Sequence, residues 1–378
     1  MAPNGHGVLQ GAQCFRCGGV PVPLDAYWIG RASLVTGESA GLLCVSCADL
    51  LREVPGVRVP VVPVPPSSAL VGEGFGGLSL ERGRGLMLGL LLGDALAHEP
   101  QVGDQRLMSS SAGQLACFTV EGLIRAHVRF SKIGACHPPS MVWNAYQRWA
   151  DGQGLSSSHS TDSGQPWLDG WLLQQYPLRQ RRGNAPATVA ALTGRVMGTA
   201  DQPVNQSAGH HALSTALPVA MFDLNVNRTA LEVAALTHGN GAAQQAAGIA
   251  ATLLVEVQRA RQVASLDLDA LTPPDGPSGT APDALRQAVI AVQAHGQPEA
   301  FLDALAAAHS SGGRGAATLA GALLGACHGV SALPQELVGR LELGIIGDTL
   351  ARDALTEQTQ SPFETWHHRS QDLSWWHR

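Results

Sequence analysis

From residue 84 onward apolar side chains recur at three- and four-residue spacing, and this periodicity predicts a succession of helices rather than strands. They fall at residues 84–98, 113–129, 139–150, 186–197, 211–222, 228–236, 242–263, 282–294, 298–308, 316–328 and 334–355. Several open on proline (Pro139, Pro186, Pro282, Pro298, Pro334), where the missing N–H costs nothing. Two polar stretches, 151–165 and 271–282, break the pattern and read as surface loops. The first 54 residues behave differently. Short strand-like pieces at 26–29, 32–35 and 41–43 suggest a hairpin, followed by a short helix opening at Cys47. Pro55, Pro60, Pro63, Pro65 and Pro66 then mark an extended linker that cannot propagate a helix. The expected organisation is a module at 1–54, a linker at 55–80, a helical domain at 81–356 and a tail at 357–378.

The 378 residues are 45% hydrophobic and 14% charged, enough to build a sizeable core and inconsistent with a disordered chain. With 24 Lys+Arg against 30 Asp+Glu, the net charge of −6 lacks the footprint of a protein that grips nucleic acid by its phosphates. No phosphate-binding glycine loop or basic helix changes that, so neither a nucleic-acid nor a membrane partner is expected. The N-terminus shows no secretory pattern, and the apolar runs 86–92 and 316–326 are too short to span a bilayer. A soluble cytoplasmic protein is the expectation.

Cys14/Cys17 and Cys44/Cys47 form two C-x2-C units, the spacing with which four thiolates close a tetrahedral structural zinc site. One zinc ion is the expected cofactor; a redox pair or plain buried thiols are the competing readings. Around these cysteines Arg16, Arg31 and Arg52 are matched by Asp25, Glu38, Asp49 and Glu53, which favours a protein contact over DNA reading. The tail carries Trp366, Trp375 and Trp376 and is expected to dock on the body or on a protein partner. Cys117 and Cys327 fall on apolar faces and read as core residues; Cys136-His137 and Cys327-His328 are sequence neighbours, which does not make a catalytic dyad.

The first helix carries Gly85, Gly89 and Gly93 at i, i+4 and i+8, a stripe that lets another backbone come close. Its end, Gly93-Asp94-Ala95-Leu96, resembles the opening helix of the ADP-ribosylglycohydrolase family, of the dinitrogenase-reductase-activating type. Further segments resemble the family in order: Gln114 to Leu123, Arg182-Gly183-Asn184, Asn205 to Gly209, Thr237-His238-Gly239, Leu319 to Gly329 and Leu333-Pro334. The resemblance covers residues 82–355 and implies an all-α orthogonal multi-helix bundle, joined here to the small zinc module. It also implies cleavage of a glycosidic bond to ADP-ribose with two Mg²⁺ ions, held mainly by a Thr-Asp-Asp-Thr run and an Asp-x-Asp run.

Here the chain departs from the family. The Thr-Asp-Asp-Thr positions are Ser110, Ser111, Ala112 and Gly113, and the Asp-x-Asp positions are Gly312, Gly313 and Arg314. Two hydroxyls and a guanidinium do not make an octahedral oxygen shell, so Mg²⁺ is not expected. The reading is a pseudoenzyme that binds an ADP-ribose-like ligand or a protein partner, with Ser110, Ser111, Asn184, Gly209, His210, Gly312, Gly313 and Arg314 as the ligand-facing set. Arg314 supplies fixed positive charge for a phosphate. The adjacent His210 and His211 are expected to point apart, and His238 to serve packing. The alternative is an active hydrolase with a rebuilt site, which needs a recruited acid: Asp94 first, then Asp104 or Glu121. A scaffold with a filled cleft is the third reading.

Overall fold

The computed structural model describes residues 28–34, 37–43, 79–98, 105–155, 170–194, 196–222, 224–263 and 277–359. The first two segments are strands β1 (Trp28–Leu34) and β2 (Gly37–Leu43), paired antiparallel from Trp28↔Leu43 to Leu34↔Gly37. Two of the three expected strand pieces thus merge into one. The four paired cysteines, the linker and the aromatic tail lie outside the described residues.

The remainder is helical: α1 (Leu80–His98), α2 (Ser111–Ile133), α3 (Pro138–Gly152), α4 (Tyr176–Arg179), α5 (Pro186–Leu192), α6 (His211–Ala216), α7 (Val226–Ala235), α8 (Gly241–Ala260), α9 (Ala281–Ala294), α10 (Phe301–His328), α11 (Gln335–Arg340) and α12 (Gly344–Thr359). Among the described residues the first helix starts at Leu80 and the last ends at Thr359. Among the described residues no helix is long and apolar enough to cross a membrane.

α1 is apolar all round, which is the signature of a helix buried on every side. Leu86, Met87, Leu88, Leu90, Leu91 and Leu92 are fully buried, and so is Arg84, whose Nε donates to Asp348 Oδ1 at 2.6 Å. The glycine stripe meets a matching stripe on α10. A Cβ at Gly85, Gly89 or Gly93 would land on the carbonyl oxygen of Gly325, Gly321 or Ala317 respectively, and Cβ atoms at Gly321 and Gly325 would strike Gly89 and Gly85. The two helices therefore run antiparallel, backbone against backbone. The ends carrying Asp94 and Arg314 consequently lie at the same end of the pair.

Several boundaries differ from the periodicity, each for a local reason. The expected helices at 298–308 and 316–328 form one element with a break at Gly313 (φ 70°, ψ −159°), a conformation open in practice only to glycine. The expected helix at 334–355 is interrupted at Leu341–Leu343, because Leu107 N–H donates to Arg340 O and Glu342 N–H donates to Leu107 O, pulling that segment into a short parallel bridge. The helix from Pro186 stops at Leu192, and 211–222 becomes α6 followed by a 3-10 turn, Leu217–Met221.

Gly89→Ala should lower stability by about 3 kcal/mol or more, since a methyl group has only backbone to displace. Gly241→Ala, in the first turn of α8 with nothing near its Cβ, should instead gain about 0.4–1 kcal/mol. Urea unfolding of the two variants beside the parent checks both signs.

Candidate functional site

The first half of the site forms where α1 ends and α2 begins. Ser110 is the N-cap of α2: its Oγ accepts from Ala112 N–H at 3.0 Å, satisfying one of the unpaired donors of the first turn. The same residue grips Asp94, its N–H donating to Oδ2 at 2.7 Å and its hydroxyl to Oδ1. Asp94 is 1% exposed, and burial pushes its carboxyl above the ordinary range despite the hydrogen bonds from Ser110. α2 approaches through Gly113, where a Cβ would come within 2.5 Å of Asp94 Oδ2 and 3.2 Å of Leu91 Cδ2.

Beside this contact, Ser111 N–H donates to Arg182 O at 3.2 Å, and Ser109 N–H to Glu342 Oε2 at 3.4 Å. Glu342 is in turn paired with the Arg182 side chain. Ser110 and Ser111 are buried and serve α2's first turn and its neighbours. Asn184 is exposed in the loop that follows Arg182 and borders a crevice of about 10 Å³ between that loop, Trp149 and Val189.

The second half surrounds the break in α10. Arg314 is exposed immediately after Gly313, and its carbonyl accepts from the Thr318 hydroxyl at 2.9 Å. Gly315 leaves room for His210, whose Cβ a side chain there would strike, and Gly312 packs against Gln287 and Ala316. His210 directly precedes α6, with helical backbone (φ −62°, ψ −16°) and no side-chain cap hydrogen bond. The expectation that it and His211 point apart is corrected by the rings, which meet edge to face at 4.9 Å, and His211 lies 6.4 Å from His238. Gly209, whose open side faces His238 Nε2, completes this wall.

This histidine grouping has no counterpart in the sequence pattern, because it joins a cap residue, a first-turn residue and a Thr-His-Gly loop. Burial, then the charges of Arg314 and the neighbouring rings, holds His210 at about 4 and His211 well below its ordinary value; burial and His210 hold His238 at about 4. His238 Nδ1 lies 2.8 Å from Thr237 Oγ1. At neutral pH the wall is three uncharged imidazoles beside one exposed guanidinium.

The donor set does not fit two Mg²⁺ ions. Ser110 Oγ is already committed to Asp94 and Ala112, the Asp-x-Asp positions offer no carboxylate, and Arg314 brings positive charge. Among the described residues no three His, Cys, Asp or Glu side chains are grouped to hold a metal. Glu121 is not a recruited acid either. Burial alone would raise its carboxyl, but Arg125 at 2.9 Å and Arg148 at 2.8 Å hold it below the usual range, clamped between two buried guanidiniums. Asp104 lies outside the described residues. Cys117 and Cys327 are buried, and burial raises both thiols away from reactivity.

Between pH 6.5 and about 4 the unfolded chain takes up a proton at residue 238 that the folded chain refuses, so stability rises with pH across that window. His238→Gln should therefore lose about 2 kcal/mol less than the parent between pH 7 and pH 5. Denaturant titrations at the two pH values measure the difference.

The comparisons with known proteins agree with this architecture. A solved structure titled as an ADP-ribosylglycohydrolase-related protein complex superposes with a TM-score of 0.50 at 21% identity, over 74% of this chain and 98% of that one. At that identity it speaks for the fold. No curated protein matches the sequence. The family model for ADP-ribosylglycohydrolase matches residues 78–365, and across that span the chain belongs to the ADP-ribosylglycohydrolase family.

Proposed function

We propose that this protein is a non-catalytic member of its family, which holds an ADP-ribose-like ligand at the remnant cleft without divalent cations. The observation that carries the reading is the commitment of Asp94, which lies beside the serine turn, buried and bonded to both donors of Ser110. A carboxyl so buried accepts hydrogen bonds that serve the fold. The positive charge that a pyrophosphate needs comes from Arg314, next to the backbone break at Gly313 and the His210 wall. Ser111, Gly209 and Gly312 contribute shape, and Asn184 lies on the exposed loop next to Arg182. A single zinc ion on Cys14, Cys17, Cys44 and Cys47 belongs to the same proposal, with that module as the surface for a protein partner.

The second reading, a hydrolase with a rebuilt site, draws on one fact: burial raises the Asp94 carboxyl, as a general acid requires. The two readings separate in one pair of measurements on the full chain. Calorimetric titration with ADP-ribose, without chelator so that the zinc site is preserved, should give saturable heat that is the same with and without added Mg²⁺. Arg314→Ala should weaken that binding about 10- to 100-fold, the range of a lost charged hydrogen bond. No heat up to millimolar ligand would sink the binder. Release of free ADP-ribose from an ADP-ribosylated arginine peptide, abolished in Asp94→Asn, would establish the hydrolase in its place.

A further inference from the structure

Away from the cleft, a cavity of about 550 Å³ opens between α2, the start of α3, α7 and α12. Its walls are mainly apolar: Leu123 and Phe130 come from α2, Phe222 and Leu224 from the segment ahead of α7. Phe222 is buried, whereas Phe130, 57% exposed, presents a phenyl ring to an arriving molecule. The volume lies within the roughly 300–1,000 Å³ of small-molecule sites.

Thr229 supplies a polar anchor in that wall. It is 7% exposed and its N–H donates to Asn225 O at 2.8 Å, yet among the described residues its hydroxyl has no hydrogen-bond partner. A helical threonine commonly turns its hydroxyl back on the carbonyl four residues earlier, as Thr119 does on Leu115 O at 3.0 Å and Thr252 on Gly248 O at 2.9 Å. A hydroxyl buried without a partner is costly, and this one stands where a ligand would meet it. Charge is set beside His127, another wall residue, whose Nδ1 lies 3.5 Å from Oε1 of the buried Glu357. A ligand carboxylate or phosphate would bring a second acid up to Glu357. Among the described wall residues no Asp or Glu stands ready to pair with a ligand cation. The polar end that suits this wall is therefore uncharged.

We propose that this cavity binds an uncharged aromatic small molecule, with its ring system against Phe130 and Phe222 and a carbonyl oxygen accepting from the Thr229 hydroxyl. The phenyl rings and Leu123 supply the apolar contact, and Thr229 fixes the orientation. The site works independently of Arg314 and the histidine wall.

Prodan, an uncharged naphthyl ketone whose emission moves to the blue on leaving water, is a suitable probe. Titrated into the full chain it should bind saturably, one molecule per chain, and excess ADP-ribose should not displace it. Phe130→Ala, at a position more than half exposed, should weaken binding about tenfold. Thr229→Val keeps the side-chain shape without the donor and should weaken it about 3- to 10-fold. Anilinonaphthalene sulfonate, of similar size but anionic, should bind less tightly than prodan. Cys136 locates the probe, because its thiol lies in the same wall. Saturating prodan should slow Cys136 alkylation about tenfold, read by mass spectrometry of its peptide, while the buried Cys117 stays unlabelled and reports an intact fold. The proposal is overturned by the lack of a saturable blue shift, or by binding that neither variant weakens and that leaves Cys136 unprotected. Tighter binding of the sulfonate than of prodan overturns it as well.

Discussion

The contact between α1 and α10 sets the terms for everything else in this molecule. Gly85, Gly89 and Gly93 face Gly325, Gly321 and Ala317 so closely that each helix uses the other's carbonyls as its packing surface. Such a contact has almost no side-chain freedom to freeze and no room to slide, because every step along it is bounded by backbone. The ends of the pair are fixed in consequence. At the same end of the pair α1 presents Asp94 to the first turn of α2, and α10, just after the break at Gly313, presents Arg314 beside the histidine wall. The geometry of the candidate site is thus inherited from a contact made of glycine and backbone.

This separation explains how much was legible in the sequence. The stripe on α1 follows directly from its four-residue spacing, and the family segments give the order of the helices. The stripe's partner is more than 220 positions away along the chain, where Gly321 and Gly325 look like ordinary helical glycines. The break at Gly313 was hidden for a related reason: periodicity reports apolar faces, and it is blind to a single residue of positive φ that joins two helices into one element. The strand-like interruption at Leu341–Leu343 depends on hydrogen bonds to Leu107, a partner that no local window contains.

Among the candidate residues, local rules worked where a side chain acts on its own helix and failed where it acts between elements. Ser110 as a cap follows from a serine ahead of an apolar run. Its second duty, holding Asp94, needs the approach of α1. His210 and His211 were misjudged because adjacent side chains were taken to diverge, whereas their rings meet edge to face, and His238 joins them from a loop. Glu121 looked available although Arg125 follows it at i+4, because its second buried counter-ion, Arg148, comes from another helix.

The close approach at Gly113 limits what this turn can carry. A β-branched residue, which the resemblance to a Thr-Asp-Asp-Thr run would place there, has no space for even its first carbon, because Asp94 Oδ2 and Leu91 already occupy it. Any redesign of the turn that adds a side chain at this position has first to move α1 and α2 apart.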